Sequence, residues 1–69
     1  MNKNYFEIKE KKSEIKTYKI ILFDLLVLIN DCIRYHVDYG NLKSLYLDIE
    51  KRIDEREKIV KKLESDENV

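Results

Sequence analysis

Ten consecutive residues, Ile20-Ile21-Leu22-Phe23-Asp24-Leu25-Leu26-Val27-Leu28-Ile29, include nine apolar ones, and no other stretch is so greasy. Whatever this chain folds into must find cover for that run. A membrane is not the natural cover. A spanning helix needs about 20 apolar residues, whereas a shorter run is more often a buried core helix. Asp24 also sits inside the run. A secretory signal fits poorly, because Glu7, Glu10 and Glu14 precede the run and no small-residue cleavage site follows it. Asn30 and Asp31 stand before Cys32, where a lipoprotein site wants small residues. The expectation is a soluble cytoplasmic protein with no membrane role.

Helix is the predicted state of almost the whole chain. There is no proline and one glycine, Gly40, so little interrupts a long helix. Ile8, Ile15, Leu22, Ile29 and His36 recur every seven residues, and Tyr18, Leu25, Cys32 and Tyr39 recur in the companion position. Such a pattern makes a coiled-coil-like seam along one side of a helix. Tyr39-Gly40-Asn41-Leu42 reads as the break, with Gly40 ending one helix in the left-handed conformation and Asn41 capping the next. Beyond it, Leu42, Ile49 and Leu63 share one seven-residue register, and Tyr46, Ile53 and Val60 the other. Arg56 stands where the first register calls for a leucine.

The predicted fold is therefore all-α: a two-helix antiparallel hairpin over residues 14–65, with its turn at 40–41. Residues 1–13 read as a basic helical extension that frays. They open a segment, residues 1–19, with six lysines against three glutamates and a capping-box spacing at Asn4 to Glu7. Residues 66–69 read as an acidic disordered tail. Leu22, Leu25, Leu26, Ile29, Cys32, Ile33, Leu45, Ile49 and Ile53 are the predicted core.

A single folded-back arm covers one stripe of a helix, and the greasy run is apolar over most of its circumference. Burying one large apolar side chain is worth about 2 kcal/mol, so several left wet would forgo as much as a small domain's whole stability. The expected remedy is a second copy, giving a homodimeric four-helix bundle with Phe23, Val27, Leu28 and Ile20 at the contact.

Chemistry is sparse. Charged residues make up 41% of the chain, but 14 basic and 14 acidic groups cancel, which leaves no long-range pull toward nucleic acid or anionic membrane. One cysteine excludes an internal disulfide and suits a reducing compartment. Cys32 and His36 lie four apart, a workable ligand spacing on a helix, but a tetrahedral metal site would need both copies of a dimer. The simpler reading is a small buried thiol and a histidine near the bundle end. Asp24, Asp31 and Asp38 recur every seven residues, too far apart for one ion, and read as a solvated stripe open to a basic partner. Arg56 reads either as a polar group setting the register of a seam or as a side chain reaching water beyond its end. With one histidine, no glycine-rich loop and no second cysteine, neither an enzyme nor a cofactor is expected.

Ser44-Leu45-Tyr46-Leu47-Asp48 distantly resembles the Ser-Gln-Glu-Leu-Asp signature of the small sporulation aspartyl-phosphate phosphatases, which are also helical hairpins. The resemblance implies a response-regulator phosphatase with Asp48 at its site. The Gln and Glu are missing here and the preceding loop is shorter, so membership is not claimed. The layout is similar, in architecture alone, to small plasmid copy-control proteins that dimerise into four-helix bundles. The leading expectation is a small non-enzymatic regulator or adaptor acting through protein contact, as a phage or mobile-element inhibitor of a host protein would. A nucleic-acid-binding hairpin using the lysine-rich leader and the second helix is the alternative.

Overall fold

The computed structural model describes residues 4–67, without the side chain of Glu67. Within them the chain is two helices, α1 (Tyr5–Arg34) and α2 (Gly40–Glu67), packed side by side, with no strand. Lys12 meets Glu64 and Arg56 meets Glu14, so the early part of one helix lies beside the late part of the other. The hairpin is antiparallel and slender, 53 × 14 × 13 Å.

α1 ends five residues earlier than Gly40 suggests. α1 stops at Arg34 because His36 takes the left-handed conformation, with φ 58°. The His36 N–H then donates to the Ile33 carbonyl at 3.4 Å, and the Val37 N–H donates to the Cys32 carbonyl at 2.8 Å. This crossed pair satisfies the last carbonyls of a helix, and histidine is among the non-glycine residues that tolerate the conformation. Gly40 has no positive φ and opens α2 instead. Its N–H donates to Asp38 Oδ1 at 3.2 Å, and the Tyr39 carbonyl accepts from the Lys43 N–H at 2.9 Å. An aspartate bonding its own backbone two residues on is a common way to start a turn or helix. The expected turn at 40–41 is thus corrected to residues 35–39.

The ends differ from expectation as well. Residues 5–13 are part of α1 and carry the buried Ile8, and Lys12 is tied to α2 at 3.2 Å. α2 is long enough to run beside them. Asn4 precedes the helix without a capping bond from its side chain; its carbonyl accepts from the Ile8 N–H at 2.9 Å. The first two residues of the expected tail, Asp66 and Glu67, are the end of α2. Residues 1–3, 68 and 69, part of the expected extension and tail, lie outside the described residues.

Burial follows the seven-residue rhythm. In α1 the sheltered positions are Ile8, Lys11, Ile15, Tyr18, Leu22, Leu25, Ile29 and Cys32, joined by Glu14 beside the seam. In α2 they are Leu42, Tyr46, Ile49, Ile53, Arg56, Val60 and Leu63. Leu25, Ile49 and Ile53 form the centre, with Ile15, Tyr18, Leu22, Leu42 and Tyr46 around them. Even so, no described side chain is fully buried. Three members of the expected core, Leu26 at 44%, Ile33 at 51% and Leu45 at 46% exposure, lie on the surface. One helix can cover only a narrow stripe of another, and these three stand beside that stripe.

Candidate functional site

The apolar run gives α1 two surfaces. Leu22, Leu25 and Ile29 face α2, while Ile20, Phe23, Leu26, Val27, Leu28 and Ile33 remain exposed, Phe23 at 66%. On a helix, Ile20, Phe23 and Val27 fall at three- and four-residue steps and make one outward ridge. Leu26 and Ile33 widen it toward α2. Continued backwards, the same ridge becomes Lys9, Lys12, Lys16 and Lys19. An open groove of about 560 Å³ lies where the basic and apolar parts meet, lined by Lys12, Ile15, Lys16, Lys19, Ile20 and Phe23. A surface built this way suits an extended partner that is acidic at one end and apolar along the rest. The expected contact residues Ile20, Phe23 and Val27 share this ridge. Leu28 is exposed too, but on the far side of Asp24.

Arg56 occupies a seam position after all. Its Nε donates to Glu14 Oε2 at 2.8 Å, Nη1 donates to the Arg52 carbonyl at 3.1 Å, and the guanidinium lies 4.9 Å from the centroid of the Tyr18 ring. It does not simply reach water; it ties the middle of α2 to α1, between the Leu25 centre and the Lys12–Glu64 pair. The Arg56 hydrogen bond holds the Glu14 carboxyl below its ordinary pKa, against the opposing effect of desolvation and with lesser help from the charge of Lys11 at 3.5 Å. The sequence places Tyr18 in the seam but links neither Tyr18 nor Glu14 to Arg56. A fold-back centred between Gly40 and Asn41 would bring Arg56 level with Leu25; centred on Val37, it brings Arg56 to Tyr18.

The other candidates disperse. Asp24 and Asp31 are exposed on α1, but Asp38 sits in the turn on the Gly40 N–H, so the three-aspartate stripe is not one helical face. Cys32 is half-buried in the last turn of α1, whereas His36 is outside the helix in the left-handed conformation. The four-residue helical spacing that recommended this pair for a metal is therefore lost. Among the described residues, no three of His, Cys, Asp and Glu are grouped to hold a metal ion. Asp48, singled out by the phosphatase resemblance, is exposed and accepts from Arg52 Nε at 3.1 Å. No helix among the described residues is long and apolar enough to cross a membrane. No family model, curated protein or solved structure matches this chain.

Proposed function

We propose that this protein is a small non-enzymatic regulator or adaptor of the cytoplasm, that it binds another protein through the exposed ridge of α1, and that two copies close into a four-helix bundle. The observation that carries the reading is the uncovered ridge itself, Lys12, Lys16 and Lys19 running into Ile20, Phe23 and Val27. Large exposed apolar patches on small proteins mark docking sites, and an amphipathic helix lying along such a ridge is a recurrent mode of recognition. The partner segment that fits is helical, acidic at one end and apolar along the remainder.

A second reading, nucleic-acid binding, draws on the same three lysines and on Phe23 as a stacking platform. One set of titrations separates the two. Photo-crosslinking from a residue beside Phe23 in extract of the source cell should trap one protein partner. Phe23→Asp should abolish the product, and Lys16→Glu should weaken it. Titration of the purified chain with RNA and DNA should show only weak binding; tight binding that falls steeply between low and high salt would favour the second reading instead.

A further inference from the structure

The four-helix bundle leaves open which side of the hairpin meets the second copy and in which direction, and the side chains answer both. The hairpin exposes more area than its mass warrants. Its surface is 5750 Å². A compact monomer of 8.4 kDa would expose about 4,600 Å². The excess of roughly 1,100 Å² is more than the ~800 Å² each partner contributes to a standard interface. The radius of gyration, 16.0 Å, likewise exceeds the ~11 Å of a compact domain of this length. A second hairpin is of the right size to remove the surplus.

Hairpin-on-hairpin packing needs apolar residues from both helices on one side. The side marked by the Lys12–Glu64 ion pair does not supply them. There α2 shows Glu50, Glu57 and Glu64, and a shallow groove is lined by Lys12, Ile15, Glu57, Val60, Lys61 and Glu64. On the opposite side, helical spacing places Ile21 and Leu28 of α1 beside Leu45 and Ile59 of α2. All four are exposed. Asp24 and Asp31 rim this side on α1, and Asp48, Glu55 and Lys62 rim it on α2.

Charge then sets the direction. The Tyr18–Arg56 contact and the Leu25–Ile49 packing place Asp24 and Arg52 at nearly the same height, midway along the apolar belt. With turns at opposite ends, each helix would lie on its own equivalent, Asp24 near Asp24 and Arg52 near Arg52. With turns at the same end, α1 lies on α2 of the other copy. Leu28 then lies near Leu45 and Asp24 near Arg52, while Ile21 and Ile59 carry the apolar belt on toward the open end at different heights. Arg52 already holds Asp48, and its five N–H donors leave room for another carboxylate. Opposite charges at close range attract about as strongly as like charges repel, so the two arrangements differ twice over, once for each copy.

We propose that a second copy docks on the side carrying Ile21, Leu28, Leu45 and Ile59, with both turns at one end and Asp24 of each copy beside Arg52 of the other. This rests on the four-helix-bundle reading and specifies it. The test is the dimer dissociation constant by sedimentation, with helicity followed on the same samples. Leu28→Asp and Leu45→Asp should each weaken the dimer by about a hundredfold, whereas Phe23→Asp should change it less than about threefold. Asp24→Arg or Arg52→Asp alone should weaken it by about tenfold, and the two together should restore it to within about threefold. These charge variants lie on the exposed rim, so they decide the matter even if an aspartate in the belt unfolds the chain. A dimer broken by Phe23→Asp and spared by Leu28→Asp would overturn the side chosen. Loss without restoration in the double variant would overturn the direction. A wild-type chain that stays monomeric at about 100 µM, a dissociation constant too weak for a standard interface, would sink the bundle itself.

Discussion

The two halves of α1 make an instructive contrast. Residues 5–19 hold few apolar groups, yet they carry the cross-helix bonds Lys12–Glu64 and Glu14–Arg56, the Tyr18 platform and the buried Ile8. Residues 20–34 are mostly apolar, yet only Leu25 among them is buried. In a two-helix structure, shelter is rationed by geometry and not by greasiness. Each turn of α1 can place about two residues against α2, however many it offers. The sparse half sets three of its five apolar residues, Ile8, Ile15 and Tyr18, in the seam and leaves Tyr5 and Phe6 exposed. The rich half has a surplus, and that surplus stays exposed on the hairpin.

This contrast is breakable in several places. The largest effect is expected at the one buried residue of the rich half. Leu25→Ala should cost about 2–4 kcal/mol in chemical denaturation, since it empties the centre formed with Ile49 and Ile53. If shelter rather than composition matters, Phe23→Ala in the same half should cost under about 0.5 kcal/mol. Equal losses for the two would erase the distinction.

In the sparse half, Arg56→Ala should cost about 1–2 kcal/mol, through the lost Glu14 bond and the lost stacking on Tyr18. A smaller, pH-dependent part of that loss is assignable to Glu14. Its folded pKa lies below the unfolded value, chiefly because Arg56 donates to it. The resulting stability is complete above the unfolded value of about 4.3 and drains away as pH falls through the folded one. Melting curves below pH 5 should therefore fall more steeply for the wild type than for Arg56→Ala.

The smallest effect is a gain at the turn. His36→Gly should stabilise the hairpin by up to about 1 kcal/mol, because glycine adopts the left-handed conformation freely. His36→Val should destabilise it. No change in either would place the helix end elsewhere.

The helical class, the hairpin and the seam were legible because a seven-residue rhythm survives in both helices despite the charges between. The turn was not. Gly40 is the stronger helix terminator by composition, but Tyr39-Gly40 lies beyond the point where His36 had already turned the chain. Asp38 then took the Gly40 N–H and made that glycine a beginning. Locating the centre of the turn three to four residues late displaced everything opposite, so Arg56 was read without Glu14 or Tyr18. Leu26, Ile33 and Leu45 were placed inside because hydrophobicity alone does not tell the side facing a neighbour from the shoulder beside it. Ile20, Phe23, Val27 and Leu28, expected at a subunit contact, are exposed on the single hairpin because they fall between the seam repeats.

The arginine in the seam also limits how the two arms can slide. A repeat of seven tolerates a seven-residue shift: α2 could move one heptad either way and still set apolar groups against apolar groups. Moved one way, Arg56 would land on Leu25, a cation pressed into oil. Moved the other, it would land on Lys11, cation against cation. Only the observed alignment offers it a carboxylate and an aromatic face together, so one charged side chain makes a periodic zipper close on a single tooth.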